Sequence, residues 1–301
     1  MSDNSSTQAT ISILGGMMTL GLIDNFVRLI AVDAGLWQFH AVRAVMALAI
    51  MGGMAALGWA TIRPKRKLAV LGRSVFTAGS MLIYFGCLAF LPIGVVAAGL
   101  FTSPIFILLI SIVFMGVRVG PLRWLAVAIG FVGVMMVIQP NPNDLDWLSF
   151  LPIGAGVLYA IGAVATRAWC EGETTLTLTA GFFGVLGVFG VIGLTVLTIW
   201  PMPVADGTDG FVTRSFTSLT GTFLFWTTVQ AIGSMVGVGL LFRGYLLGDA
   251  SYVSVLEYSL MIFASFWAWV IWSEGLNLLA MGGVVMIIIS GGIISVRSTA
   301  K

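Results

Sequence analysis

Residues 93–115 read IGVVAAGLFTSPIFILLISIVFM, a run without one Asp, Glu, Lys, Arg or His. A helix crossing the hydrocarbon core needs about 20 such residues, whereas a membrane β-strand needs about ten with strict alternation. This run is continuous and long enough for the helix. Similar runs at 10–32, 36–60, 73–91, 121–139, 148–170, 175–200, 219–245, 250–272 and 276–296 predict ten helices in all. Connections as short as Leu91-Pro92-Ile93 and Gly248-Asp249 make neighbours antiparallel. The expected class is all-α and integral to a membrane.

Composition agrees. The 301 residues are 59% hydrophobic and 9% charged, with mean hydropathy +1.07. Soluble domains carry about 25% charged residues, so no soluble domain is expected. With 14 basic against 12 acidic residues there is no basic face for nucleic acid. Cys87 and Cys170 are predicted on opposite membrane faces and should not pair. The first ten residues carry no Lys or Arg, so a cleavable leader is not expected.

Basic residues set the expected orientation. Arg63, Lys65, Arg66, Lys67, Arg73, Arg118, Arg123, Arg167, Arg243, Arg297 and Lys301 are assigned to loops on the side of the termini, against Arg28, Arg43 and Arg214 opposite. Both termini should be cytoplasmic. Tryptophans 37, 59, 124, 147, 169, 200 and 272 fall near predicted helix ends, as an interfacial belt requires.

A shift of 157 residues lays Phe114-Met115-Gly116-Val117 over Ile271-Trp272-Ser273-Glu274 and Gly133 over Ser290. A shift of 139 lays Gly15 over Gly154 and Arg28 over Arg167. Five helices per half is odd, so the halves, 1–140 and 141–301, should be inverted repeats with a site between them.

With these stretches, Tyr84 to Val134 and Ser251 to Ile294, the chain resembles the EamA-type drug/metabolite transporter superfamily. The resemblance rests on hydropathy and small residues over essentially the whole chain. It implies a secondary transporter in the bacterial inner membrane, exporting amino acids or related amphipathic compounds. The family's Gly-Glu step after the fourth helix has Val117 in place of Glu, while Glu274 keeps the step after the ninth.

Polar residues inside apolar runs are the candidate site. Asp24 and Arg28 are four apart and expected to pair on one helix face. His40 and Arg43 follow on the second helix, and with that pair could line an outer mouth or form a structural ion cluster. Glu257 shares a face with Ser254 and Tyr258; burial disfavours its charged form, which suits binding of a proton or an ammonium. The plainer alternative is a hydrogen-bonded packing residue. Tyr84, Phe101, Thr102, Ser103, Tyr159, Gln230 and Tyr258 are the candidate substrate contacts, with Pro104 as hinge. Gly184, Gly187, Gly190 and Gly193 recur every third residue, permitting close helix approach.

The single His, with no HExxH, Cys/His cluster or Walker loop, leaves enzymes and primary pumps without their parts. No metal or other cofactor is expected. Import, an ion channel and a non-transport subunit remain as alternatives. The expected partners are a small solute, lipid and protons, for a monomer or homodimer.

Overall fold

Backbone polar groups in hydrocarbon must bond within their own segment, so long charge-poor runs become helices. The computed structural model describes residues 3–87, 91, 93–144 and 147–298. Residues 88–90 of the predicted third helix, Pro92 and Lys301 lie outside these. The helices, in chain order, are α1 (Asp3–Asp24) and α2 (Val27–Ala31), together the first span, then α3 (Leu36–Ala56) and α4 (Lys67–Cys87). The fourth span is α5 (Ile93–Leu100) with α6 (Ser103–Met115), followed by α7 (Pro121–Ile138), α8 (Leu151–Trp169) and α9 (Thr175–Ile199). Then come α10 (Gly221–Leu247), the ninth span α11 (Ala250–Leu256) with α12 (Ser259–Trp272), and α13 (Leu278–Ser298). Among the described residues nine spans of 18–27 residues are apolar enough to cross a membrane, and α13 supplies a shorter apolar stretch. This is a multi-pass, all-helical membrane protein.

Its surface fits lipid. Val113, Phe114 and Leu278 are 70%, 81% and 87% exposed, and Trp59, Trp147 and Trp200 are exposed near span ends. Cys87 and Cys170 are free and buried at opposite ends of the bundle; burial pushes the Cys170 thiol up from its ordinary value.

The main packing pairs are first with eighth, third with sixth, second with seventh, fifth with tenth, first with ninth and fourth with sixth. This set maps onto itself when each span is exchanged with the one five places away. Backbone landmarks follow the shift of 157. Gly116 and Ser273, both left-handed with φ 63° and 57°, end α6 and α12, and Pro121 and Leu278 begin α7 and α13. Small residues bring the pairs close: a Cβ on Gly16 would lie 2.9 Å from the Gly237 carbonyl, and one on Gly133 2.8 Å from that of Gly283.

Two expectations are corrected. Lys67, Arg73, Arg123, Arg167, Arg243 and Arg297, assigned to loops, lie within helices. Arg28 does not pair with Asp24: α1 ends at Asp24, and Arg28 on α2 bonds Glu274 at 2.8 and 3.2 Å. An i,i+4 pair needs an unbroken helix between its members. The hydrogen bond from Arg28 holds the exposed Glu274 carboxyl below its ordinary range.

We call the end of the bundle holding both termini the terminal face and the other the far face. On the far face Arg214 donates to the carbonyls of Ala31, Ala34 and Gly207, satisfying the end of α2.

Candidate functional site

Three spans are interrupted at membrane depth, each for a local reason. In the fourth, Pro104 sits in the first turn of α6, where its missing N–H costs nothing. Thr102 there donates its hydroxyl to the Gly99 carbonyl at 2.6 Å. The predicted hinge proline therefore starts a half-helix. In the first span Asn25 donates to the carbonyls of Gly21 and Ala264 (2.7 and 3.2 Å), and Gln230 of α10 donates to that of Ile23. Asn25 thus ties the break to α12 and Gln230 ties it to α10. In the ninth, Glu257 and Tyr258 form the turn, and Ser259 donates to the Leu256 carbonyl at 2.6 Å.

The first break places Asp24 in the far half. Asp24 is exposed, with Arg43 and Tyr84 within electrostatic reach. Arg43 donates to His40 Nδ1 at 3.0 Å and Ser234 Oγ at 3.3 Å, and lies 4.6 Å over the Phe39 ring. A guanidinium only donates, so His40 Nδ1 accepts and its proton resides on Nε2, which has no partner. Ser234 continues to Gln230 at 3.4 Å. His40 meets Phe85 edge-on at 4.8 Å, and Phe85 meets Tyr84 at 5.1 Å. Asp24, His40, Arg43, Tyr84 and Gln230 thus form one group.

The ninth-span break places a second group in the terminal half. Glu257 accepts a hydrogen bond from the Tyr159 hydroxyl on α8 at 2.8 Å and one from Tyr245 on α10. Both carboxylate oxygens are taken. Tyr258 is fully buried, its ring against Gly130 and 6.2 Å from that of Phe101. Ser103 is buried beside the fourth-span break. The predicted substrate contacts therefore divide between the two groups: Tyr84 and Gln230 in the first, Tyr159 in the second, with Phe101 against Tyr258 at the paired breaks.

Two residues were not singled out in the sequence. Tyr245 lies 4, 11 and 15 positions along one helix face from Leu241, Ser234 and Gln230, a spacing that marks it out in hindsight. Arg73 on α4 is fully buried. It donates to Thr166 Oγ1 at 2.8 Å and the Leu178 carbonyl at 3.2 Å, and lies 3.6 Å over the Phe242 ring. Among the described residues no group of three or more His, Cys, Asp or Glu is arranged to hold a metal.

Residues 7–139 match the model of the EamA-like transporter family. A solved structure, described only as a crystal structure of a protein, aligns with 99% of this chain and 98% of its own at a TM-score of 0.77 and 15% identity, a likeness of fold. Comparison with curated proteins gave no match.

Proposed function

We propose that the chain is a member of the EamA-type drug/metabolite transporter superfamily, whose family model matches residues 7–139, and that it is a secondary transporter exporting amino acids or related amphipathic solutes across the inner membrane. The observation that carries the reading is the set of broken spans with carboxylates at two of the breaks, Asp24 and Glu257. Interrupted helices at membrane depth expose backbone and side-chain polarity where a solute can use it. In this reading residues 1–140 and 141–301 are inverted halves. Asp24, His40, Arg43, Tyr84 and Gln230 meet the solute from the far face, and Glu257 couples its movement to protons. Of the polar residues at these two breaks Asp24 is exposed, while every residue from Ala250 to Leu256 is buried, which supports solute entry from the far face.

Proteoliposomes test it. Labelled L-leucine is expected to exchange across the membrane, with net accumulation only under an imposed pH gradient. Leak of small inorganic ions without leucine exchange would instead mark a channel.

The orientation follows the asymmetry of basic residues, with both termini cytoplasmic. Single cysteines at Asn143 and Gly207 are expected to react with an impermeant thiol reagent applied to intact cells, and one at Lys65 is not. Reaction at Lys65 from outside overturns this orientation.

A further inference from the structure

Arg73 has no place in the reading above, yet it is among the largest fully buried side chains of the described residues. A guanidinium at membrane depth is costly to keep, and such residues pair with an anion or serve a solute. Among the described residues no carboxylate lies within ion-pair distance of Arg73. Its partners are neutral: a hydroxyl, a carbonyl and the face of Phe242. Its Nη2 is buried without a partner.

Glu257 is connected to Arg73 through Tyr159, which bonds Glu257 and lies within electrostatic reach of Arg73, as Cys170 also does. Its two oxygens are taken by Tyr159 and Tyr245, so in this conformation the two charges are held apart. The far half repeats the arrangement. Arg43 also bonds a hydroxyl, lies over a phenyl ring, has no ion-pair partner among the described residues and keeps one buried nitrogen, Nε, unpartnered. Asp24 stands within electrostatic reach of Arg43 as Tyr159 does of Arg73. Arg43 lies seven residues into α3 from the far face, and Arg73 six into α4 from the terminal face. At about 1.5 Å per residue each is roughly 10 Å deep, one in each half of the membrane.

We propose that Arg73, with Tyr159, Tyr245 and Glu257, is a second solute station in the terminal half, where its guanidinium takes a carboxylate of the transported solute. The proposal rests on the transport reading and deepens it: the solute must carry a carboxylate as well as an amine. A guanidinium fork matches a carboxylate in two hydrogen bonds, which an amine cannot replace. Opening of the terminal half would expose Arg73 to solute as the far half closes over Arg43.

The test compares L-leucine with isoamylamine, which is leucine without its carboxylate, presented at one face at a time in oriented vesicles. For the unaltered protein, isoamylamine is expected neither to be carried nor to compete with leucine. Arg73→Met is expected to raise the half-saturating leucine concentration at the terminal face about tenfold or more, and at the far face less than about twofold. Arg73→Lys, which keeps the charge but loses the fork, should fall between. Equal shifts at both faces, or unchanged values in both variants, overturn the station and leave the transport reading standing. If Arg73 only counterbalances Glu257, isoamylamine competes as well as leucine, which also overturns it. That competition needs no variant and decides the matter even if Arg73→Met fails to fold. A protein that exchanges no leucine at all defeats the transport reading and the station together.

Discussion

Glu257→Gln is expected to exchange leucine at close to the unaltered rate while losing gradient-driven accumulation. One pH unit corresponds to about 1.4 kcal/mol, so a carrier moving one proton per solute accumulates up to about tenfold per unit. The variant should fall to no accumulation. The geometry explains why glutamine isolates this effect. Glu257 accepts from Tyr159 of α8 and Tyr245 of α10, and Arg73 of α4 acts on it through Tyr159. Toward the terminal face, Arg123 and Asp249 are bound to each other at 3.5 Å, and Arg167 of α8 donates to the Leu246 carbonyl beside Tyr245. Glutamine keeps one acceptor oxygen, and its amide can donate to the second tyrosine oxygen, so the turn between α11 and α12 stays filled. Only titration is removed. Glu257→Ala instead leaves two buried hydroxyls without an acceptor, at about 1–3 kcal/mol each, and should lower the thermal midpoint. If Glu257 is a packing residue, the Gln variant accumulates leucine with the unaltered pH profile, and coupling through Glu257 is wrong.

The helices were legible because continuous apolar runs admit one solution in lipid. The breaks were not. Nothing at Asn25-Phe26 or Glu257-Tyr258 departs from helical propensity strongly enough to announce an interruption, and Pro104 hinted at only one of the three. What holds these turns is tertiary: the Gln230 amide on the Ile23 carbonyl, and Asn25 reaching Ala264. Arg28 was misplaced for the same reason, since a broken helix voids the four-residue pairing rule. Arg73 counts with the loop charges in the sequence because it opens the predicted helix 73–91, whereas α4 begins at Lys67 and carries Arg73 inside the bundle. Here α8, α9 and α10 surround it instead. Pattern along one chain cannot show which helices converge, and the site depends on convergence. His40 and Arg43 were visible as a pair, but their link through Ser234 to Gln230 spans α3 and α10.

Gly190→Ala is expected to destabilise the protein and weaken solute binding, while Gly184→Ala, six residues earlier in the same helix, changes neither. The glycines at 184, 187, 190 and 193 look equivalent in sequence, but their surroundings differ. A Cβ on Gly190 would lie 2.7 Å from the Ala41 nitrogen and 2.9 Å from the Trp37 carbonyl, both backbone atoms of α3. A Cβ on Gly184 meets nothing within 4 Å. Backbone cannot rotate aside as a flexible side chain can, so at Gly190 the two helices must separate. Overpacking of this kind costs about 1–3 kcal/mol. The displaced segment of α3 carries the far-half group, for Ala41 sits between His40 and Arg43. Moving it lengthens the 3.3 Å bond from Arg43 to Ser234 and disturbs the chain that continues to the first-span break. The half-saturating leucine concentration at the far face should therefore rise along with the fall in thermal midpoint. Thermal melts in detergent and leucine exchange for the two variants check both effects. A Gly190→Ala protein that melts with the unaltered one would show that the seventh and second spans are not in backbone contact there. A lowered midpoint with unchanged far-face affinity would separate the packing of α3 from the solute site.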